Sequence, residues 1–420
     1  MSKGRLIYSL GLWLLLPYVI FHLLWRSRKQ PEYLQHIAER FGFYKVRGNK
    51  PLIWLHTVSV GETRAAASLV KRLQEHYPDH QLLLTHATPT GRAAGEQLYG
   101  DEVLRVYLPY DYPFVVKRFL NHFRPHVGVL LETEIWFNLI HACHAEQIPL
   151  LLLNARLSEK SAKRYARYPY LVKSGLGELH SIASQTTADA ERLTALGGAN
   201  VSVMGNLKYD IEPPLAMLEL GQRMRSQFGF DRKIFLAAST REGEETLLMD
   251  RLELLKIPGL LIVIVPRHPQ RFQEVEAMLV QRGFIFQRRS SNRSIALETQ
   301  VVLGNSMGEM FAYYAACDIA FIGGSLLPFG GQNLIEACAV GKPVVIGPHT
   351  YNFAQASELA VVSGAAVRVQ NTQELLQKVE NLLAHPELLA AMGKAGLSFV
   401  SANRGATERA LACMSNSGFK

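Results

Sequence analysis

The residues best placed to do chemistry in this chain of 420 residues sit in short polar turns that follow apolar runs. Residues 321–336, FIGGSLLPFGGQNLIE, end one such run, pass two glycine pairs and re-enter a helical pattern at Asn333. A strand, a glycine-rich turn and a helix start bring backbone N–H groups and the positive end of a helix dipole to one point, which suits a phosphate. Glycine removes the Cβ that would hold a ligand off that backbone. The same glycines also fit an ordinary tight strand-to-helix turn. Glu336, near the helix start, is placed to hold ribose hydroxyls.

Three further turns lie in the first half. HTVSVGE at 56–62 puts Glu62 at a helix start, either as a dipole-stabilising cap or as a general base for a hydroxyl that Gly61 lets approach. LETEIW at 131–136 sets Glu132 and Glu134 beside Trp136, again as caps or as a functional acid pair. GNLKYD at 205–210 carries Lys208, which alone would be a solvated lysine. In the second half, ASTREGEE at 238–245 offers Ser239 or Thr240 as an N-cap with acids in the first turn. VPRHP at 265–269 holds Arg267 between Pro266 and Pro269, and GNSMGE at 304–309 repeats the turn that ends in a glutamate. Such turns converging on one edge make a nucleotide cradle from several loops. No P-loop is present, nor a GxGxxG followed by a ribose acid.

The elements that must position these turns alternate. Apolar runs at 52–56, 82–85, 103–107, 127–131, 150–154 and 181–183 read as strands, the third ended by Pro109, with helices at 65–76, 91–99, 115–123 and 135–144 following the first four. After a junction at 205–229 containing Pro213-Pro214, the alternation restarts at 234–238, 260–265, 284–286, 301–303, 318–322 and 343–347, and the end from about Thr372 is helical. Continuous apolar strands separated by helices mean parallel sheets covered on both faces. Ligands then bind beyond the carboxyl ends of the strands, where the polar turns lie. The expected architecture is α/β, two Rossmann-like doubly wound domains facing across a cleft. The expected divisions are an N-terminal helix at 1–29, a first domain at 34–210, a linker at 211–230, a second domain at 231–400 and a C-terminal helix or tail at 401–420.

Apolar content of 48% with 19% charged residues excludes a disordered chain. The net charge of +9 is uneven: residues 1–50 hold nine Lys/Arg against two Glu. That points to an anionic surface near the N-terminus rather than to nucleic acid along the whole molecule. The four cysteines form no CxxC pair and read as buried thiols in a reducing compartment. His141, Cys143 and His144 spread over different faces of a helix, and no second ligand pair accompanies them. Between Arg5 and Arg26 lie 20 residues without a formal charge, about the length of a bilayer-crossing helix. Arg26, Arg28 and Lys29 follow, which by the positive-inside tendency puts the bulk of the chain in the cytoplasm. No small-residue cleavage site follows, and Pro17 and His22 leave a helix lying in the interface open as the alternative.

Taken in order, HTVSVGE (56–62), LETEIW (131–136), NARLS (154–158), GNLKYD (205–210), VPRHPQRF (265–272), MGEM (307–310) and GGSLLPFGGQNLIEA (323–337) resemble the bacterial 3-deoxy-D-manno-octulosonic acid (Kdo) transferase family over nearly the whole length. The resemblance implies a GT-B glycosyltransferase that is inverting and needs no metal or other cofactor. It implies CMP-Kdo as donor, the lipid A precursor (lipid IVA) as acceptor, and a place on the cytoplasmic side of the inner membrane, with no nucleic-acid partner. Carried over residue by residue, Glu62 is the base, and Glu132 and Lys208 support the transition state. Pro266, Arg267, Met307, Gly308, Glu309, Asn333, Leu334, Ile335 and Glu336 match the CMP-binding segments. The basic, aromatic run at 160–168 either meets acceptor phosphates or is an ordinary exposed helix. The chain departs from the family where Phe137 follows Trp136 in place of Pro, where Gln332 and Leu334 replace His and Pro, and where Arg241 replaces a frequent His. Two rivals remain: a GT-B enzyme using a UDP-sugar (a 2-epimerase or lipid glycosyltransferase), and a membrane-tethered nucleotide-binding scaffold without turnover.

Overall fold

The computed structural model describes residues 3–28, 30–252, 255 and 257–418. The chain forms two compact units, residues 1–210 with 403–420, and residues 211–402. The first holds a parallel sheet of β1 (Leu52–His56), β2 (Gln81–His86), β3 (Leu104–Tyr107), β4 (Val127–Leu131), β5 (Leu150–Ala155), β6 (Ser181–Ser184) and β7 (Val201–Val203). Their spatial order is β3-β2-β1-β4-β5-β6-β7. β1 lies centrally, with Leu55 opposite Leu84 on one side and Val129 on the other. Leu52 and Trp54 feed one buried cluster, while Ile53 and Leu55 feed the other. Both faces of the strand are covered, so its sequence runs apolar without alternation. Gly128 in β4 is required by packing: a Cβ there would stand 2.7 Å from the Trp54 ring.

The second unit repeats the plan with β8 (Ile234–Thr240), β9 (Leu261–Pro266), β10 (Phe286–Arg288), β11 (Val301–Leu303), β12 (Ile319–Ile322), β13 (Val344–Ile346) and β14 (Ala366–Arg368). The order is β10-β11-β9-β8-β12-β13-β14, and every pairing is parallel. In each sheet the winding reverses once, between β1 and β4 and between β8 and β12. Loops leaving those neighbours diverge and open a crevice.

The stretch expected as a linker holds a 14-residue helix, Leu215–Phe228, that belongs to the second unit. Its Gly221 lies so close to the helix Met310–Ala316 that a Cβ would meet Ala315 at 2.5 Å. The last helix, Ala406–Ser415, returns to the first unit, where Ala406, Ala410, Leu411 and Met414 join the core with Leu69 and Leu73. Asp210 fastens its start: one carboxylate oxygen accepts from Gly405 N at 2.7 Å and the other from Thr407 N.

The first helix, α1 (Lys3–Ser27), is long and apolar enough to cross a membrane by length and composition. Its first half is fastened to the first unit. Tyr8 Oη donates to Asp111 (2.9 Å), Ser9 Oγ donates to Asn138 (3.1 Å), and Tyr112 Oη donates to the Leu12 carbonyl (2.8 Å). Trp13 stacks on Phe114 at 5.6 Å, and Gly4 abuts Leu171. The opposite face leaves Ile7 and Leu14 70% and 83% exposed.

Replacing Asp210 with Ala removes a carboxylate cap and is expected to cost about 1 kcal/mol. In a unit of this size that lowers Tm by about 2–4 °C. An unchanged melt would show that the C-terminal helix is held by its apolar face alone.

Candidate active site

Ser59 caps α2 (Val60–Ala65), accepting from Glu62 N at 3.4 Å. The Glu62 carboxylate reaches back to Val58 N (2.7 Å) and Ser59 Oγ (2.9 Å). That reciprocal pattern resembles a capping box shifted by one residue, with Val58 N in place of the N-cap N–H, so the structural role weighed for Glu62 is real. It coexists with an unusual ionisation. Burial pushes the Glu62 pKa up to about 7; the Val58 bond opposes this, and the charges of Glu132 and Glu134 add to the rise. A carboxyl poised near neutrality suits a general base better than a cap.

Glu132, the first residue after β4, sits at φ +62°, a conformation that non-glycine residues seldom adopt. Its backbone is tied on both sides, N–H to the Leu153 carbonyl (3.1 Å) and carbonyl from Arg156 N (3.3 Å). Its side chain pairs with Lys208 Nζ at 3.2 Å. Glu134 accepts from Trp136 Nε1 at 2.7 Å and lies 3.7 Å from His56 Nε2. His56 Nδ1 is in turn 2.9 Å from Thr85 Oγ1. Residues from three separate motifs thus meet at the β1/β4 reversal.

Lys208 rides on a short turn, Leu207–Tyr209, whose placement the sequence did not reveal. Asn206 Oδ1 accepts from Lys208 N (3.0 Å), and Asn154 Oδ1 accepts from Leu207 N (3.1 Å). Gln185 links the two, donating to the Asn154 carbonyl and accepting from Asn206 Nδ2. Asn154 and Asn206 stand inside NARLS and GNLKYD, which had no assigned role beyond Lys208. Asn154 at φ +54° is buried, and that combination is invisible in sequence.

At the β8/β12 reversal of the second unit, Ser239 adopts φ +54° and Gly323 passes so close that a Cβ would stand 2.5 Å from the Ser239 carbonyl oxygen. Arg241 lies over the Phe329 ring at 4.4 Å. Arg267 follows β9 directly, its N–H donating to the Thr240 carbonyl (3.0 Å), and Pro266 is buried in the strand. The pKa of His268 is lowered by burial and then by Arg241 and Arg267, so these cations converge on the ends of β8 and β9. Past β11, Met307 is half exposed and Gly308 takes φ +80°. Glu309 accepts from Ser306 Oγ at 2.6 Å and lies 3.4 Å from Arg289.

The glycine-rich stretch differs from expectation in two respects. The helix begins at Ile335, not Asn333, and runs only to Ala339. Asn333 closes that turn, with Oδ1 accepting from Ile335 N and Nδ2 donating to Glu336, both at 3.1 Å. The Leu334 and Ile335 side chains are buried in the core, so only their backbones are available to a ligand. The second difference lies at the turn itself: the N–H groups of Gly324 and Leu326 already have an anion, the buried carboxylate of Glu244. Among the described residues no group of three or more His, Cys, Asp or Glu converges as a metal site would.

A family model described as 3-deoxy-D-manno-octulosonic-acid transferase matches residues 35–211, and one described as glycosyl transferases group 1 matches 240–399. The 3-deoxy-D-manno-octulosonic acid transferase of Bordetella pertussis is 39% identical over 97% of this chain and 98% of its own length. A glycosyltransferase from Rickettsia africae (15% identical, TM-score 0.59, 88% of this chain and 99% of that one) shares the fold. So does a UDP-GlcNAc 2-epimerase from Neisseria meningitidis (17%, TM-score 0.59, 87% and 100%). Those two likenesses speak for the GT-B fold alone; the near full-length identity to the transferase decides the rest, and this chain belongs to the 3-deoxy-D-manno-octulosonic acid transferase family.

Proposed function

We propose that this chain is an inverting transferase that moves Kdo from CMP-Kdo to a hydroxyl of the lipid A precursor, lipid IVA. The observation that carries the reading is the cluster at the β1/β4 reversal: the half-buried Glu62 carboxyl, its pKa pushed up to about 7, with the Glu132–Lys208 pair. Ionised Glu62 takes the proton of the acceptor hydroxyl, which then attacks the anomeric carbon of the donor sugar. Lys208 meets negative charge at the reacting centre, and Glu132 holds it there. In this reading the first unit binds acceptor and the second binds donor. Pro266 and Arg267, the backbone at Met307–Glu309 and the turn Asn333–Glu336 hold CMP, with Glu336 on the ribose. Arg267 and backbone N–H groups neutralise the departing phosphate without a metal ion.

The reading extends to the membrane. Tyr8, Ser9 and Leu12 are engaged by the first unit. Residues 14–27 beyond them span about 21 Å at 1.5 Å per residue, short of the ~30 Å hydrocarbon core. We infer that α1 lies in the interface with its exposed apolar face toward lipid, on the cytoplasmic side of the inner membrane. Lys160, Lys163, Arg164 and Arg167, on and just beyond the helix Glu159–Tyr165, precede the helix Pro169–Gly177 that Gly4 abuts, and they suit anionic head groups.

Glu62→Gln is expected to lower kcat by at least ~100-fold with CMP-Kdo and lipid IVA. A scaffold without turnover would show no activity to lose, and selective binding of UDP over CMP would favour the UDP-sugar reading. Because the base must be ionised, and its pKa is raised, kcat/KM should fall tenfold per unit as pH drops below about 7. The same activity should survive EDTA unchanged. For the membrane element, alkaline carbonate should strip the full-length protein from vesicles, whereas retention in the pellet would mean that α1 spans.

A further inference from the structure

Glu244 opens the short helix Glu244–Met249, directly after Gly243 at φ +89°. Its residue is fully buried. A carboxylate out of reach of water is costly unless strong donors surround it. Here Oε2 accepts from Arg241 N (2.9 Å) and from Gly324 N (2.6 Å), while Oε1 accepts from Leu326 N (3.0 Å). An ordinary first-turn acid would account for the bond to Arg241 alone. The other two donors lie 80 and 82 residues further along, in the loop after β12.

One carboxylate therefore clamps both banks of the β8/β12 reversal. The rest of the loop is built around that clamp. Gly331 N donates to the Gly324 carbonyl (2.7 Å) and Gln332 N to the Gly323 carbonyl (3.1 Å), which closes the loop on itself. Ser325 Oγ accepts from Gly347 N (2.8 Å), and Phe329 packs beneath Arg241. Asn333 and Glu336 follow immediately. We propose that Glu244 is a positioning residue for the donor site: an internal anion that occupies the N–H groups of Gly324 and Leu326 and so fixes the loop 323–331 in the shape that presents Asn333–Glu336 to CMP-Kdo. The proposal rests on the reading of the second unit as the donor-binding one.

Burial raises the Glu244 pKa, the three backbone bonds oppose that rise, and the charge of Glu245 adds to it. Glu245 is not a substitute for the clamp, because its Oε1 is taken by Thr240 Oγ1 and Arg271 Nη1, both at 2.6 Å. Nor is glutamine. An amide has one acceptor oxygen where the clamp uses two, and its NH₂ group would face a backbone donor.

The experiment compares the wild-type protein with Glu244→Gln, titrating CMP and measuring KM separately for CMP-Kdo and for lipid IVA. Expected are a loss of CMP affinity and a rise in donor KM of about tenfold or more, with acceptor KM unchanged, kcat within about threefold, and the fold retained by circular dichroism. Wild-type CMP affinity and donor KM in the folded variant would overturn the proposal, and so would equal damage to both KM values. Should Glu244→Gln not fold, Glu244→Asp serves in its place: a shorter carboxylate that cannot reach all three donors should weaken CMP alone, and wild-type affinity would again overturn the proposal. Should the wild-type protein bind no CMP at all, the donor-site reading falls. Hydrogen exchange at Gly324 and Leu326 then decides the clamp by itself: slow in wild type and fast in the variant supports it, and equal rates overturn it.

Discussion

The constraint on which both candidate sites depend is the single reversal of winding in each parallel sheet. Parallel strands send all their loops to one edge, and helices covering both faces leave that edge as the open one. Where the chain order runs in one direction, successive loops fold over their neighbours. At β1/β4 and at β8/β12 they part instead. Glu62 comes from one side of the first gap and Glu132 from the other, and Glu244 ties the two sides of the second. The polar residues are therefore assembled by topology, from stretches that lie 70 or more residues apart in the chain.

Two glutamates at these gaps, Glu62 half-buried and Glu244 fully buried, show how the same group is held differently. Glu62 accepts from one backbone N–H and one hydroxyl, faces two other carboxylates, and so stays poised between charge states near neutrality. Glu244 accepts from three backbone N–H groups, and its role in the proposal is to remain an anion around which a loop is shaped. Burial raises the pKa of both; Glu244 sets three backbone donors against that burial and Glu62 one backbone donor and a hydroxyl, although each stands in the first turn of a six-residue helix.

That explains how far the sequence could be read. The central strands were legible because coverage on both faces leaves unbroken apolar runs. Edge strands β7 and β14 were not: Val201-Ser202-Val203 is partly exposed, and three residues give periodicity nothing to work on. The strand expected at 284–286 forms two residues later, at Phe286–Arg288, again on an edge. The helix Leu215–Phe228 was hidden behind Pro213-Pro214, which follow the end of the first unit at Asp210 and permit a helix to begin. Its mid-helix Gly221 reads as a flaw until Ala312 and Ala315 are seen to need the space. Among the site residues, Glu62 and Glu132 stood out by type and position and Lys208 only through the family resemblance, and the structure brings Glu132 and Lys208 into contact. Asn154, Gln185, Asn206 and Glu244 did not stand out, because each acts through partners that only the fold supplies.

The fold by itself does not choose the chemistry. A UDP-GlcNAc 2-epimerase shares this architecture at 17% identity, so a parallel sheet with a cradle of loops is compatible with either rival reading. What separates the readings is the near full-length identity to the Bordetella pertussis transferase, and the first unit agrees with it. An epimerase works on the sugar of its own nucleotide and has no need of a membrane acceptor. Here an N-terminal helix is fastened to the first unit by hydrogen bonds at Tyr8, Ser9 and Leu12 while its far face stays apolar and exposed. Holding that helix against the body of the unit fixes the loop that bears Glu62 at a set distance from the exposed apolar face. Under the proposed function, that arrangement serves a hydroxyl presented from a bilayer and would be superfluous for a substrate arriving from solution.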